Sequence, residues 1–216
     1  MNKKLTGAWL GMVLTLPAVA NAALFDFQGW VTANGEQGFT NASPFQLTDS
    51  GLTLTATAFE SPGMLDSHVY MDGVFNGIIG GMGVCTNLDS GNQCVPSSDD
   101  NVSIDGTNGE TLSWGFNLAV GQFTLELGDA DHFDYGNRDF LYRLDAGPWM
   151  TGTTDVNGLV TLNGGGAGVI DFRPVAAGFS NQFYIRNADV NVVPVPAAVW
   201  LFASGLLGLA GVARRR

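Results

Sequence analysis

The stretch Gly51-Leu-Thr-Leu-Thr-Ala-Thr-Ala-Phe59 decides the fold class, because apolar and hydroxyl side chains alternate along it. Leu52, Leu54, Ala56 and Ala58 fall on one face, and the three intervening threonines fall on the other. A period of two residues is typical of a β-strand that buries one face and exposes the other. The stretch therefore predicts a half-buried strand.

The same pattern extends along the chain in both directions. Residues 122–127 place Phe123, Leu125 and Leu127 on one face and Thr124 and Glu126 on the other. Further candidate strands are 24–31, 68–71, 109–118, 140–144, 158–162, 169–173 and 182–192. They are separated by turn dipeptides such as Asn34-Gly35 and Asn157-Gly158. We therefore expect an all-β fold, an antiparallel β-sandwich of the jelly-roll-like kind.

The C-terminal residues 193–216 have a different composition and read VPVPAAVWLFASGLLGLAGVARRR. Residues 197–213 carry no charge, and as a helix they would extend about 25 Å, at the short end of what spans a bilayer. Arg214, Arg215 and Arg216 follow directly, and such a cluster stays on the cytoplasmic side of a membrane. The pattern predicts a single C-terminal transmembrane helix over 197–213. A buried core helix is the alternative interpretation.

This tail resembles the PEP-CTERM family of sorting signals, in the variant whose short motif reads VPLPA. The motif here is Val193-Pro194-Val195-Pro196-Ala197, with Val195 where the variant usually has leucine. The resemblance implies that exosortase, an integral-membrane enzyme, recognises the tail. It further implies delivery to the cell surface or exopolysaccharide matrix of a Gram-negative bacterium.

The N-terminus is consistent with export. Lys3 and Lys4 precede a mostly apolar run, and Ala20-Asn21-Ala22 has the small-x-small pattern of a signal-peptidase site. We expect residues 1–22 to be a signal peptide, 23–192 to be the domain and 193–216 to be the sorting signal. Before processing, the precursor would be anchored in the inner membrane with its domain in the periplasm.

The domain is strongly acidic, because it holds all 20 acidic residues of the chain and only four basic ones. Its formal net charge is −16, and the four basic residues are Arg138, Arg143, Arg173 and Arg186. Such a surface repels nucleic acid and anionic lipid, so both are poor partners and we expect no binding to nucleic acid. The charge is explained either by solubility or by a requirement for calcium.

Cys85 and Cys94 are the only cysteines. An even pair in an exported protein predicts a disulfide bond. In the loop-entropy account, closing about ten residues stabilises the fold by about 2.5–3 kcal/mol.

Oxygen ligands cluster just after this cysteine pair. Asp99, Asp100, Asn101 and Glu110 lie where one predicted strand ends and the next begins, as a calcium site requires. Asx turns and hydrogen bonds at the strand start are the alternative. The segment Gly80-Gly-Met-Gly-Val-Cys85 followed by an Asp-Asn pair is similar to exported β-sandwich domains that precede PEP-CTERM tails. A second acidic run, 129–139, lacks the spacing of an EF-hand and is interpreted as a solvated loop that Arg138 partly neutralises; a metal or ligand role is the alternative.

Three functions follow from these patterns. The first is a non-enzymatic exported protein that exosortase sorts to the surface or matrix. The second is a carbohydrate-binding module for matrix polysaccharide, in which aromatic faces stack on sugar rings. Its candidates are Trp30, Trp114 and Trp149, for which packing in the core is the alternative. The third is a matrix glycoside hydrolase, which needs a pair of carboxylates. Its candidates are Glu36, Glu60, Glu110 and Glu126, none of which lies in a known catalytic motif.

Overall fold

A single antiparallel sheet organises the domain in the computed structural model, which describes residues 22–61, 65–97, 100–105 and 108–193. Within these residues the sheet has twelve strands. They are β1 (Ala22–Asp26), β2 (Gln37–Phe39), β3 (Phe45–Asp49), β4 (Leu52–Ser61), β5 (Leu65–Phe75), β6 (Ile78–Cys85), β7 (Ile104–Asp105), β8 (Asn108–Asp129), β9 (Asp139–Leu144), β10 (Met150–Thr153), β11 (Leu159–Pro174) and β12 (Phe183–Val192). One α-helix, α1 (Phe27–Asn34), and one 3₁₀ turn (Phe179–Asn181) complete the described elements.

The sheet closes on itself. The strands run in the order β12-β6-β5-β4-β8, and β12 also pairs with β8, which makes a closed five-stranded barrel. The remaining strands extend it: β1 lies beside β12, β2 beside β5, β3 beside β4 and β7 beside β8, and β11, β9 and β10 continue from β8. The prediction of an all-β antiparallel fold is confirmed. The jelly-roll-like sandwich is not, because one sheet closes where two separate sheets were expected.

The closure depends on the long strand β8. Its first half pairs with β4, from Gly109 opposite Ser61 to Phe116 opposite Leu54. Its second half pairs with β12, from Val120 opposite Val192 to Asp129 opposite Phe183. Register shifts in the neighbouring strand β11 accompany this change of partner, and such irregularities bend a sheet. The sequence predicts two separate strands here, at 109–118 and 122–127, where the structure has one continuous strand.

Helix α1 occupies part of a predicted strand. The prediction for 24–31 is confirmed only as far as Asp26, where β1 ends. The Asp26 side chain then caps the helix by accepting a 2.7 Å hydrogen bond from the backbone N–H of Gly29. Phe27 and Val31, four residues apart, are the buried positions of the helix. This spacing places both side chains on one helical face.

The barrel interior contains a cluster of aromatic rings around Trp114. Its ring centroid lies 4.9 Å from that of Phe172 and 5.6 Å from that of Phe27. The predicted inward face of β4, consisting of Leu52, Leu54, Ala56 and Ala58, is completely buried, which confirms that prediction. Burial of apolar surface in this interior is the main stabilising contribution to the fold.

The predicted disulfide bond is present between Cys85 and Cys94, with their Cα atoms 5.8 Å apart. Tyr70 and Leu88 pack against it. The Tyr70 hydroxyl donates a 2.5 Å hydrogen bond to Oε1 of Glu36. The disulfide bond therefore belongs to a small second core beside the barrel.

Most of the two predicted targeting signals lies outside the described residues. This holds for Ala20, for Pro194, Val195, Pro196 and Ala197, for the predicted transmembrane segment 197–213, and for Arg214, Arg215 and Arg216. Ala22 begins β1 opposite Asn191, and Val193 follows β12, where its N–H donates to the carbonyl oxygen of Ala119. No helix in the described part of the chain combines the length and apolar character needed to cross a membrane.

Candidate functional site: an acidic, aromatic cleft

A cleft of about 420 Å³ opens beside β5 and β12. Its polar lining consists of Asp72, Ser97, Asp100, Asn101, Asp131 and His132. Its remaining lining consists of Val74, Phe75, Ala130, Phe179 and Tyr184. We call this set of residues the acidic cleft.

Glycines of β6 allow the acidic cleft to form. A Cβ at Gly83 would overlap the backbone carbonyl oxygen of Asp100, and a Cβ at Gly80 would overlap the carboxylate of Asp72. The absence of side chains at these two positions lets both aspartates lie directly against β6. The glycine-rich segment therefore positions two acidic groups of the cleft.

His132 and Asp72 form a buried ion pair. The Nε2 atom of His132 lies 2.6 Å from Oδ2 of Asp72, and both side chains are less than one-tenth exposed. The Nδ1 atom of His132 lies 2.9 Å from the carbonyl oxygen of Ile78, which can only accept a hydrogen bond. Burial lowers the pKa of His132, but the bonds to Asp72 and Ile78 and the charge of Asp72 outweigh it, so the net pKa is raised. The geometry therefore favours the imidazolium form.

Asp100 and Tyr184 form the second polar pair. The hydroxyl of Tyr184 donates to Oδ1 of Asp100. Burial, reinforced by the charge of Asp72, raises the pKa of Asp100 to about 6. Burial and the same two carboxylates also raise the pKa of Tyr184, so this phenol stays neutral and acts as a donor. The Tyr184 ring packs edge-to-face on His132, with centroids 5.0 Å apart, and connects the two pairs.

The acidic cleft has an excess of negative charge. Asp72, Asp100 and Asp131 are opposed by the imidazolium of His132, and among the described residues that line it none is lysine or arginine. The nearest buried cation, Arg186, is engaged elsewhere: it donates to the carbonyl oxygen of His132 and to Asp134. A cationic ligand would therefore be favoured in this cleft.

The predicted calcium ligands are only partly brought together. Asp100 and Asn101 both line the acidic cleft, whereas Asp99 lies outside the described residues. Glu110 does not line it. Its Oε2 accepts a 2.8 Å hydrogen bond from the N–H of Ser103, and its own N–H donates to the carbonyl oxygen of Ser103. This is the hydrogen bonding at a strand start that the alternative interpretation expects.

No three His, Cys, Asp or Glu side chains within the described ranges are arranged to hold a metal ion. Calcium prefers six to eight oxygen ligands. The Asp72 carboxylate already faces His132, so it is not available to a calcium ion in this arrangement.

The three candidate tryptophans lie apart from the cleft and do not share a surface. Trp114 is completely buried and has no face accessible to a sugar ring. Trp30 is half-buried and packs edge-to-face on Phe39 and Phe45. Trp149 has the guanidinium groups of Arg143 and Arg173 at 4.7 and 4.1 Å from its ring centroid. The exposed aromatic groups beside the polar residues of the cleft are phenylalanines instead.

Sequence reasoning missed Asp72 and Tyr184 as site residues, whereas Asp131 and His132 belong to the run 129–139, for which a metal or ligand role is the alternative interpretation. The run 129–139 is predicted to be solvated, but His132 is 3% exposed and Tyr135 is completely buried, so the prediction is wrong at these positions. It is correct for Arg138, which lies 3.5 Å from Asp129. The signal in the sequence was a histidine and two aromatic residues inside an acidic run, a composition unusual for a solvated loop.

No protein-family model, no curated protein and no solved structure matches this chain. Functional inference therefore depends on the sequence signals and on the acidic cleft.

Proposed function

We propose that this protein is an exported, non-enzymatic domain that exosortase sorts to the cell surface or exopolysaccharide matrix of a Gram-negative bacterium. The observation that carries the proposal is the C-terminal sequence, where the motif Val193–Ala197, the uncharged segment 197–213 and the terminal arginines follow in the order of a sorting signal. The signal-peptide pattern ending at Ala22 supports the same route, with an inner-membrane-anchored intermediate.

The disulfide bond supports an oxidising destination. Cys85 and Cys94 are bonded, and the bond packs into the small core around Tyr70. Disulfides persist in the periplasm and outside the cell but are rare in the cytosol. The formal net charge of −16 suits a soluble exported domain and disfavours binding to nucleic acid.

The glutamates do not support the hydrolase alternative. Each accepts a hydrogen bond from another group of the domain: Glu36 from Tyr70, Glu60 from Thr86, Glu110 from Ser103 and Glu126 from Asn187. None of the four is among the described residues that line the acidic cleft. We therefore place the matrix glycoside hydrolase last.

Fractionation of cells that contain exosortase tests the sorting proposal. The full-length protein is expected in the surface or matrix fraction, with a lower mass because the chain is cleaved near both ends. A variant lacking residues 193–216 should remain in the periplasm with its C-terminus uncut. Unchanged location and mass in that variant would contradict the proposal.

Carbohydrate binding is the second candidate, and one observation of the structure favours it. The acidic cleft combines the exposed rings of Phe75 and Phe179 with buried polar groups, which is the composition of many small-ligand sites. Titration of the full-length protein with matrix polysaccharide tests this candidate.

Calcium at Asp100 and Asn101 stays a separate proposal. If it is correct, chelation with EDTA lowers the melting temperature.

A further inference from the structure

The acidic cleft contains a hydrogen-bond acceptor that the described residues do not use. Asn101 is 4% exposed and lines the cleft. Its side chain is hydrogen-bonded to Tyr184, but its buried Oδ1 atom has no hydrogen-bond partner in the described part of the chain. Leaving such a buried acceptor unpaired costs free energy of folding, because the atom gives up its bonds to water and gains none in return. An unpaired buried polar atom in a native fold calls for an explanation, and a ligand that donates an N–H or O–H at this position supplies one.

The charges around Asn101 specify the donor further. Asp72 is neutralised by His132 at 2.6 Å, whereas the adjacent Asp100 has no cation in direct contact: its hydrogen bonds come from the neutral hydroxyl of Tyr184 and from its own backbone, and the charge of His132 acts on it only through space. Asp131 adds another carboxylate to the lining. A donor that carries positive charge would balance this excess, and charge-assisted hydrogen bonds are about twice as strong as neutral ones.

The aromatic groups specify the rest of the ligand. Phe75 is 49% exposed and Phe179 is 60% exposed, and both line the cleft. Exposed phenylalanine rings offer flat apolar faces to a ring-shaped ligand and also attract cations through their π faces. The volume of about 420 Å³ lies at the lower end of the range for small-ligand sites, which suits a compact molecule.

We propose that the acidic cleft binds an amino sugar, with the ammonium group at Asp100, a hydroxyl or ammonium hydrogen donated to Oδ1 of Asn101, and the sugar ring against Phe75 and Phe179. A metal ion fits the cleft less well, because no three His, Cys, Asp or Glu side chains within the described ranges converge on one point. The proposal rests on the carbohydrate-binding function above and names its ligand class. It does not depend on the sorting route.

Calorimetric titration of the full-length protein, in a nonionic detergent without sugar headgroups, tests the proposal. The probes are glucosamine, glucose and N-acetylglucosamine, which share a ring but differ in charge. Glucosamine is expected to bind about tenfold or more tightly than the two neutral sugars. Asp100→Asn should weaken glucosamine by about tenfold and leave glucose nearly unchanged, because the substitution removes the charge and keeps the shape.

Two further variants keep the result interpretable. Phe179→Ala alters an exposed ring, which folding does not require, and should weaken all three sugars. Asp189→Asn, at an exposed aspartate of β12 outside the cleft, is the matched control and should change nothing. A chitosan tetramer that binds more tightly than glucosamine would assign the ligand to a polymer, and equal affinity would assign it to free sugar; both results support the ammonium chemistry.

Several outcomes would overturn the proposal. Equal affinity for glucose and glucosamine would remove the ammonium requirement and leave carbohydrate binding intact. No binding of any sugar would remove both. Calcium chloride that binds alone, blocks glucosamine and loses its affinity in Asp100→Asn would reassign the cleft to a metal. Glucosamine binding that neither Asp100→Asn nor Phe179→Ala changes would place the sugar elsewhere.

Discussion

The Nε2 atom of His132 lies 2.6 Å from Oδ2 of Asp72, and this contact joins the loop after β8 to the strand β5. Both groups are buried, and the second ring nitrogen of His132 is hydrogen-bonded to the carbonyl oxygen of Ile78. The imidazole is therefore held on both sides, and one wall of the acidic cleft depends on it.

Replacing Asp72 should strongly destabilise the domain. Asp72→Asn keeps the shape but removes the negative charge, so a buried imidazolium loses its partner. Breaking a buried ion pair in this way costs about 3 kcal/mol or more, which is about 6–12 °C in melting temperature for a domain of this size. Thermal and urea unfolding measure the loss. Asp189→Asn is the control, and equal stability of the two variants would show that the pair contributes nothing.

The stability of the domain should rise as the pH falls from 8 to 5. Burial, with the charge of Asp72, raises the pKa of Asp100 from 3.8 to about 6, so between these values the folded state binds more protons than the unfolded state. Burial lowers the pKa of His132. The hydrogen bonds to Asp72 and Ile78 raise it by a larger amount, so the net pKa lies above 6.5. The stability from His132 is therefore complete below 6.5 and is lost as the pH rises through the folded-state value. Both groups act in the same direction.

Asp100→Asn removes the Asp100 contribution and also reduces the His132 contribution, because the charge of Asp100 helps to raise the pKa of His132. The asparagine does not titrate, so the Asp100 share, about 1.4 kcal/mol between pH 5 and pH 8 for a pKa raised from 3.8 to about 6, should disappear from the difference in stability between these two pH values. Melting temperatures across this range measure it, with Asp189→Asn as the reference. Superimposable pH profiles for the wild type and Asp100→Asn would disprove the assignment.

Short-range pattern predicted the strands better than their closure. The alternation at 51–59 identified the buried face of β4 residue by residue, because a period of two is a local property. The closed barrel depends instead on β8 changing its partner from β4 to β12, a long-range pairing that no local pattern encodes. Helix α1 was missed because its capping aspartate and two buried positions lie within an apolar run that also suits a strand.

The acidic cleft was only half predictable for a similar reason. Asp100 and Asn101 stand out in the sequence, whereas Asp72, His132 and Tyr184 join them only through pairing of distant strands. In the sequence, the glycines of 80–85 carry only a resemblance to other exported domains. Their physical role, which is to let Asp72 and Asp100 lie against β6, required the structure.

Removing the disulfide bond should reduce the stability by about 2.5–3 kcal/mol, because the loop of about ten residues regains its freedom in the unfolded chain. The double variant Cys85→Ala/Cys94→Ala tests this by urea unfolding. The wild-type protein in reducing agent should unfold at nearly the same urea concentration as the variant. A reduced wild type as stable as the oxidised protein would contradict the expectation.

Trp114 lies in the core and Trp149 lies nearer the surface, so their substitutions should cost different amounts of stability. Trp114→Ala removes the completely buried ring that packs on Phe172 and Phe27, so we expect a loss of about 3–5 kcal/mol. Trp149→Ala should cost only about 1–2 kcal/mol, because its ring is half-buried and its contacts are with the guanidinium groups of Arg143 and Arg173. Urea unfolding measures both losses.

Since neither ring lines the acidic cleft, Trp149→Ala should also leave the glucosamine titration unchanged. Loss of sugar binding in Trp149→Ala at nearly full stability would instead restore the tryptophan platform and move the sugar site to the surface around Trp149.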